Sequence, residues 1–281
     1  MKLVQFSKDT EPEVGLVSDG IISISKHLPL APRQLVKLIE VWDEFAPTIA
    51  ALCGKPADLQ INEVHLLPPI SRPSKILGIG LNYQDHVEES GMAKPTDQLW
   101  FLKAASAVAG PFDPIRLPRV SRQLDYEAEL VVVIGKRCRY ADRSAAKEAI
   151  FGYCAGNDVS IRDWQFKTSQ FMLGKSFDSH APHGPWIVPK DSIDPLNLNI
   201  QCYVNDEVRQ HSNTRNLIFD PIAQVMYLSQ VMTLEPGDLL FTGTPGGVGA
   251  ARKPPVWLKE GDRVRVAIEG IGEIENRVVS D

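Results

Sequence analysis

The segment 124–135, LDYEAELVVVIG, decides the fold of this chain. Its second half, 130–134, is continuously apolar, which is typical of a strand that is covered on both faces. Successive side chains of a strand point to opposite faces, so Glu127 and Glu129 would lie side by side on one face. The segment therefore predicts one long, buried strand with two carboxylates at its entrance.

Two neighbouring carboxylates repel each other, so either water or a cation must compensate their charges. An exposed edge strand would supply the water, and the acid pair taken alone fits that arrangement better. The apolar continuation of the strand favours a cation instead. Because no His or Cys is placed to complete a softer site, oxygen ligands at this spacing suit Mg²⁺ or Mn²⁺ better than Zn²⁺. Asp158 follows another short apolar run and offers a third carboxylate, although it could equally cap a helix.

A candidate acid–base pair lies in the segment 80–91, GLNYQDHVEESG. If this segment is a short helix, His86 and Glu89 share a face, and the carboxylate can orient the imidazole as a general base. A solvated ion pair on an exposed helix is the alternative, and it is at least as common. Glycines at both ends and a polar composition are typical of a mobile lid.

Three weaker candidates lie further along the chain. The segment 243–249, GTPGGVG, can bring backbone N–H groups close to an anion, but it lacks the Lys-Ser/Thr ending of a P-loop. His180 and His183 straddle a proline, so a loop is a better interpretation than a helical metal site. Lys175 could hold an anion or simply be exposed.

The first seventy residues predict a small α+β domain. Short β-rich runs before residue 25 indicate a small sheet, and the apolar spacing over 32–53 predicts one helix that packs on it. The proline-rich stretch LLPPISRP follows at 66–73, and it interrupts regular structure because proline removes backbone donors and fixes φ. We therefore divide the chain into an N-terminal domain, 1–69, and a catalytic domain, 70–281.

Strand patterns dominate the predicted catalytic domain, which makes the fold class mixed α+β and β-rich. Helical composition occurs at 142–150 and 220–232. The other segments predict strands or hairpins: 75–80, 99–102, 196–204 with 208–211, and 262–268 with 272–279.

Composition excludes several classes of protein. The 281 residues include 30 basic and 35 acidic side chains, for a formal charge of -5, and no basic cluster interleaves with aromatics as nucleic-acid binding requires. No uninterrupted run of eighteen apolar residues predicts a membrane span. The four cysteines form no C-x-x-C pair, which argues against a zinc knuckle or a redox dithiol. The expectation is a cytoplasmic protein without nucleic-acid or membrane partners.

In combination, these motifs resemble the fumarylacetoacetate hydrolase family. They occur in the family's order across residues 75–279, and that order makes the resemblance specific. The stretch 253–262, KPPVWLKEGD, further resembles the branch that holds fumarylacetoacetate hydrolase domain-containing protein 2 and bacterial diketo-deoxy sugar-acid hydrolases. The matching segments are GLNY at 80–83 with DH at 85–86, FLK at 101–103, DYEAEL at 125–130, NDVS at 157–160, RDWQ at 162–165, GKSFD at 174–178 and TGTP at 242–245.

The resemblance implies a β-roll catalytic domain that usually forms a homodimer. It implies Mg²⁺ or Mn²⁺ as cofactor, held by Glu127, Glu129 and Asp158. The lid would carry the catalytic pair His86 and Glu89. Around a small anionic 2-oxo acid, the remaining site residues would be the catalytic Lys175 and the substrate-binding Lys103, Gln165 and Thr244.

Three functions are compatible with these residues. The first expectation is a hydrolase that cleaves a C–C bond in acylpyruvates or 2,4-diketo acids through a metal-stabilised pyruvate enolate, because water activation needs the pair His86 and Glu89. The alternative is an oxaloacetate keto–enol tautomerase, or a decarboxylase, that uses the same metal site. A non-catalytic binding protein is a third reading of the same carboxylates.

Overall fold

The computed structural model describes residues 1–91 and 93–281, without the side chain of Ser90. The described residues form a strand-rich α+β fold, as the sequence predicts. The strands are β1 (Leu3–Ser7), β2 (Pro12–Val17), β3 (Ile21–Ser23), β4 (His65–Leu66), β5 (Ile76–Gly80), β6 (Leu99–Lys103), β7 (Val108–Ala109), β8 (Ile115–Leu117), β9 (Leu124–Asp125), β10 (Ala128–Ile134), β11 (Ile150–Asn157), β12 (Ser160–Ile161), β13 (Ala181–Pro189), β14 (Asn199–Val204), β15 (Glu207–Asn213), β16 (Leu239–Phe241), β17 (Arg263–Ile268) and β18 (Gly272–Ser280).

Helices are short and lie between the strands. They are α1 (Ile24–His27), α2 (Leu35–Glu40), α3 (Trp42–Ala50), α4 (Gln84–Ser90), α5 (Arg143–Ala149), α6 (Arg162–Gln165), α7 (Met172–Lys175) and α8 (Pro221–Val231), with 3-10 turns at Ile61–Glu63, Ala105–Ala107, Lys190–Ser192, Thr214–Asn216 and Gly249–Ala251. Among the described residues, none of these helices has the length and apolar character to cross a bilayer.

The main sheet has 11 strands, in the order β3-β2-β1-β13-β11-β10-β16-β5-β6, with β4 paired to β1 and β7 to β13. At its centre β10 runs antiparallel to β11, and Ala128 faces Asn157 across the first pair of the ladder. The start of β10 therefore lies beside the end of β11. The backbone N–H of Asp158 donates to the carbonyl of Glu127 at 2.9 Å, which fixes this corner.

Both faces of β10 are covered, as its apolar run predicts. Leu130, Val132 and Ile134 belong to the core that packs against the second sheet, β15-β14-β17-β18-β8. Val131 and Val133 belong to a core on the opposite face. The alternation of a strand thus divides one apolar run between two cores.

The prediction of a single strand over 124–135 is wrong, because β9 and β10 are separate. The carboxylate of Asp125 accepts backbone N–H donations from Gly249 at 2.8 Å and Ala250 at 2.9 Å. Glu127 donates its own backbone N–H to the side chain of Asn157 at 2.9 Å rather than to a neighbouring strand. These contacts pull the backbone out of the ladder between β9 and β10.

The predicted hairpins are confirmed. Strands β14 and β15 pair from Asn199 with Asn213 to Val204 with Glu207. Strands β17 and β18 pair over six residues up to Ile268 with Gly272. The helix predicted at 220–232 is present as α8, whose first turn is capped by the side chain of Asp220.

The N-terminal region differs from its prediction in one respect. The single helix expected over 32–53 is wrong, because Val41 leaves the helical conformation at φ -115° and ψ 23° and separates α2 from α3. Leu3 in β1 pairs with Ile187 in β13, so the N-terminal strands continue the main sheet. The division at residue 69 stays a prediction.

Candidate active site and metal centre

Three carboxylates meet where β10 begins and β11 ends. Glu127 directly precedes β10, Glu129 lies within it, and Asp158 directly follows β11. All three side chains are buried, and each offers an oxygen within 4.8 Å of the other two. We refer to Glu127, Glu129 and Asp158 as the carboxylate cluster.

Two members of the carboxylate cluster have cationic partners. Lys175 Nζ lies 2.8 Å from Glu127 Oε2 and 2.8 Å from Asp158 Oδ2. Lys103 Nζ lies 2.5 Å from the other oxygen of Asp158. Burial alone would raise the pKa of Glu127, but the charges of Lys175 and Arg162 outweigh it and lower that pKa to about 2.

Glu129 is different, since no cationic side chain of the described residues lies within salt-bridge distance of it. Its Oε2 accepts the backbone N–H of Gly243 at 2.7 Å. Burial raises the pKa of Glu129 well above its usual range, and the charges of Asp158 and Glu127 raise it further. A carboxylate in this position gains most from a bound cation, and an all-oxygen donor set fits a hard divalent ion such as Mg²⁺ or Mn²⁺.

The position of Lys175 depends on close packing of α6 against α7. A Cβ atom added to Gly174 would lie 2.3 Å from the backbone nitrogen of Gln165, so only glycine fits there. Lys175 is 2% exposed, which excludes the exposed alternative left open by the sequence. Burial lowers the pKa of Lys175, but the charges of Asp158 and Glu127 outweigh that effect and raise it.

Sequence reasoning missed the role of Arg162, which links the carboxylate cluster to β9. Its Nε lies 2.8 Å from Asp125 Oδ2, and its Nη1 lies 2.6 Å from Glu127 Oε1. The same Nη1 donates to Gln165 Oε1 at 2.8 Å. The motif RDWQ contains both residues, but a local motif does not reveal an ion pair that spans 37 residues.

The predicted acid–base pair lies on α4, as expected. His86 Nδ1 is 3.7 Å from Glu89 Oε2, which is within reach of an ion pair but too long for a hydrogen bond. Glu89 Oε2 accepts the backbone N–H of Gly247 at 2.8 Å, so the glycine-rich loop anchors the carboxylate. His86 and then this N–H group lower the pKa of Glu89, against the opposing effect of partial burial.

A cavity of about 620 Å³ joins these groups. Six of the predicted site residues line it: His86, Glu89, Glu127, Gln165, Lys175 and Thr244. Apolar side chains form much of the remaining wall, among them Phe101, Phe166, Phe171, Val248 and Pro255. The cavity thus brings the acid–base pair and the accessible edge of the carboxylate cluster to one space.

Lys103, Glu129 and Asp158 are not among the lining residues of this cavity. Lys103 is buried behind the carboxylate cluster, where its Nζ contacts Asp158 and the carbonyl of Val159. It therefore positions a carboxylate in this structure rather than facing the cavity as a substrate contact. Thr244 lines the cavity, although its hydroxyl already donates to the Ala128 carbonyl at 2.9 Å.

Of the two histidines in the H-x-x-H pattern, His180 lies in the loop directly before β13, as predicted, whereas His183 lies within the strand. His180 Nε2 lies 2.9 Å from the carbonyl of Arg116. His183 Nδ1 lies 3.1 Å from the carbonyl of Ala181. Burial lowers both pKa values, that of His180 to about 3 and that of His183 to about 4, so both rings are neutral structural groups at pH 7.

Several known proteins are similar in sequence to this chain over most of its length. A Bos taurus protein named mitochondrial oxaloacetate tautomerase FAHD2A is 43% identical to this chain over 99% of the chain and 92% of its own length. The Homo sapiens protein of the same name is 40% identical over the same shares. In Dictyostelium discoideum, the homologue of fumarylacetoacetate hydrolase domain-containing protein 2 is 45% identical over 94% of this chain and 91% of its own length.

These names overturn one prediction from the sequence. The bovine, Xenopus laevis and human tautomerases are each described as mitochondrial, whereas we expected a cytoplasmic protein. That expectation rested on the charged, strand-like pattern of residues 1–12 and on the absence of a long apolar run. The absence of such a run bears on membrane spans and does not identify the compartment. The cytoplasmic assignment is wrong.

Solved structures share both fold and sequence with this chain. Maleylpyruvate hydrolase from Sphingobium sp. SYK-6, crystallised with manganese(II) and pyruvate, superposes with a TM-score of 0.84 at 33% identity and covers 100% of this chain and 99% of its own. Fumarylacetoacetate hydrolase from Exiguobacterium antarcticum gives 0.86 at 35% identity, with 100% of both chains covered. The family model for the C-terminal domain of fumarylacetoacetate (FAA) hydrolase matches residues 75–279. The chain therefore belongs to the fumarylacetoacetate hydrolase family, as its motifs indicate.

Proposed function

We propose that this protein is an oxaloacetate keto–enol tautomerase that depends on Mg²⁺ or Mn²⁺. The observation that carries the proposal is the shared cavity, in which the pair His86 and Glu89 faces the same space as Glu127 and Lys175. The relatives that bear the tautomerase name align with 99% of this chain at 40–43% identity. The names of these relatives favour the alternative from the sequence over the hydrolase that we expected first.

The charges around the carboxylate cluster support an anionic substrate. Asp125 and the three members of the cluster provide four negative charges, while Lys103, Arg162 and Lys175 provide three positive ones. With all seven groups ionised, the formal net charge is therefore one negative, and a bound divalent cation would reverse its sign. When bound, that cation would supply a Lewis acid for the 1-carboxylate and the 2-oxygen of a 2-oxo acid.

Tautomerisation moves one proton between the 2-oxygen and C3 of oxaloacetate, and no C–C bond breaks. In the direction from enol to ketone, the hydroxyl proton leaves to solvent while His86 delivers a proton to C3 and then regains one from water. His86 Nδ1 faces Glu89, which leaves Nε2 for the substrate. Because the pKa of Glu89 is lowered, its carboxylate stays ionised and stabilises the protonated ring.

C–C hydrolysis is the second candidate, and a specific observation favours it. The same imidazole–carboxylate pair can activate water, and the chain is 33% identical to a maleylpyruvate hydrolase. Hydrolysis demands a water molecule and a second carbonyl beyond the 2-oxo group. Proton transfer alone demands neither. Tautomerisation therefore requires fewer reacting groups in the cavity than hydrolysis does.

One assay separates the candidates. Purified protein with Mg²⁺ is mixed with enol-oxaloacetate, and the ultraviolet absorbance of the enol is followed while lactate dehydrogenase reports any pyruvate. We expect rapid loss of the enol without pyruvate, and no acceleration after EDTA treatment. Pyruvate formed as fast as the enol disappears would indicate a decarboxylase. Faster turnover of an acylpyruvate or a 2,4-diketo acid would establish the hydrolase instead.

A further inference from the structure

We infer that Arg252 binds the second carboxylate of the substrate and thereby selects 2-oxo dicarboxylic acids over 2-oxo monocarboxylic acids. This inference deepens the proposed function and rests on it, because oxaloacetate carries a carboxylate at each end. Arg252 lines the cavity together with His86 and Glu127. It lies outside the carboxylate cluster and was not among the residues predicted from the sequence.

The backbone around Arg252 is fixed to the wall that carries the carboxylate cluster. Its N–H donates to the carbonyl of Gly249 at 3.3 Å, and Gly249 in turn donates to Asp125 at 2.8 Å. Asp125 is also the partner of Arg162, which contacts Glu127. These contacts therefore fix the backbone of Arg252 relative to the carboxylate cluster.

The guanidinium itself has only a weak anchor. Its Nη2 donates to the backbone carbonyl of Arg209 at 3.2 Å, and its Nε is buried without a hydrogen-bond partner. Burial raises the pKa of Tyr126, the residue before Glu127, to about 12, and the nearby Arg252 opposes that rise. The charge of Arg252 also contributes to the lowered pKa of Glu89. Arg252 therefore lies near both Glu89 on α4 and Tyr126, which adjoins the carboxylate cluster.

Arg252, which is half-buried, differs from the buried cations Arg162 and Lys175 because it has no carboxylate partner. Arg162 and Lys175 each contact two carboxylates. Among the residues that the structure describes, no carboxylate oxygen lies within 4.0 Å of the Arg252 guanidinium. A guanidinium without a protein carboxylate keeps its positive charge available to a ligand in the cavity, and its planar shape suits a carboxylate.

Lys253 provides a matched control. It is the next residue, lines the same cavity and also carries a positive charge, but its side chain is exposed to solvent. Water screens the charge of an exposed ammonium, so its removal has a small effect on affinity. A general electrostatic attraction would depend on both residues, whereas specific recognition depends on Arg252 alone.

The test uses two ligands that do not react: 2-oxoglutarate, a dicarboxylate, and 2-oxobutyrate, a monocarboxylate. Each is titrated calorimetrically into Mg²⁺-loaded wild type, Arg252→Gln, Arg252→Lys and Lys253→Gln. We expect Arg252→Gln to weaken binding of the dicarboxylate by about 10- to 100-fold, because it removes charge-assisted hydrogen bonds to the second carboxylate. Binding of the monocarboxylate should change by less than about threefold, and Lys253→Gln should leave both ligands within the same limit.

Arg252→Lys keeps the charge and should retain part of the preference, which guards against loss of folding in the glutamine variant. The inference is overturned if Arg252→Gln weakens both ligands equally, or neither. The enol assay on the same variants separates this outcome from failure of the proposed function. If wild type does not ketonise oxaloacetate but Arg252 still governs dicarboxylate binding, the tautomerase proposal fails and the inference stands.

Discussion

At the scale of single residues, Glu129 should destabilise the metal-free protein and strengthen the binding of a metal ion. It is a buried carboxylate whose neighbours are Glu127 and Asp158, and its backbone partner Gly243 supplies only a neutral hydrogen bond. Glu129→Gln removes the negative charge and keeps an oxygen for the Gly243 N–H group. We expect the metal-free variant to be more stable than wild type by about 1 kcal/mol, or about 2–4 °C in Tm.

The same variant should bind Mn²⁺ at least about tenfold more weakly, because an amide is a poorer ligand than a carboxylate for a hard cation. Differential scanning fluorimetry without metal and calorimetric titration with Mn²⁺ measure the two effects. Glu260→Gln, at an exposed position outside the lining of the cavity, is the control. A variant with lower stability and unchanged affinity for Mn²⁺ would remove Glu129 from the metal centre.

Glu89 and Glu88 provide a matched pair on α4. Glu89 lies 3.7 Å from His86 and lines the cavity, whereas Glu88 is exposed and accepts a hydrogen bond from Gln84. Glu89→Gln should lower kcat by at least about tenfold with little change in KM, because the carboxylate acts through the imidazole. Glu88→Gln should leave both constants within about twofold. Equal effects of the two substitutions on kcat would exclude Glu89 as the positioning residue of His86.

His183 makes stability depend on pH. Its Nε2 accepts the backbone N–H of Ile70, so the neutral ring fits and a protonated ring does not. Burial lowers the pKa of His183 to about 4, below the value of about 6.5 in an unfolded chain. The unfolded state therefore binds the proton first, and the free energy of unfolding should fall as the pH decreases from 6.5 to 4, by about 3 kcal/mol at most.

Urea unfolding at several pH values measures this loss for wild type and for His183→Asn. The variant should show a smaller decrease over the window, while His211→Gln, at an exposed ring, should keep the decrease of wild type. An identical decrease in the wild type and His183→Asn would show that other groups cause the pH dependence.

The individual site residues could be predicted to different extents. Alternating acids before an apolar run indicated Glu127 and Glu129, since both features lie in one short segment. Arg162 was not predicted, because its role depends on contacts to Asp125 and Glu127 that the local spacing of residues does not show. Lys103 was identified as important, but the sequence alone could not show that it lies behind Asp158.

At the scale of elements, the short helices α6 and α7 place Arg162 and Lys175, two of the three cations that contact the carboxylate cluster. A methyl group at position 174 would collide with the backbone of Gln165, and a backbone cannot yield as a flexible side chain does. Gly174→Ala should therefore destabilise the protein by about 1–3 kcal/mol and move Lys175 away from Glu127, with a loss of turnover. Chemical unfolding and the enol assay measure both effects.

Leu173→Ala is the control for this substitution, because Leu173 lies on the same helix and is 55% exposed. It should change the free energy of unfolding by less than about 0.5 kcal/mol. If Gly174→Ala retained the stability and turnover of wild type, the close packing of α6 against α7 would not position Lys175.

Most elements follow from local pattern, and the errors have a common physical cause. The apolar period predicted β10 and the hairpins, because burial on a strand face imposes that period. The break between β9 and β10 depends on Gly249 and Ala250, which lie more than a hundred residues away and donate to Asp125. Such a contact leaves no trace in the spacing of residues 124–135.

At the scale of the whole molecule, the antiparallel register of β10 and β11 is the feature that creates the site. It places Glu127 and Asp158, which are 31 residues apart in the chain, at the same corner of the main sheet. Helix α4 carries the acid–base pair, and the backbone N–H of Gly247 in the glycine-rich loop donates to Glu89. The homodimer that the family resemblance implies stays a prediction, which light scattering on the purified protein can test.

The most direct test of the central claim follows the proton itself. Enol-oxaloacetate is ketonised in D₂O by the wild-type protein with Mg²⁺, trapped at once as malate by malate dehydrogenase, and examined by proton NMR. A protein group that delivers deuterium to one face of C3 produces malate with a single deuterium in one configuration, and we expect that product without pyruvate. An equal mixture of the two C3 configurations at the uncatalysed rate, or pyruvate as the main product, would contradict the account.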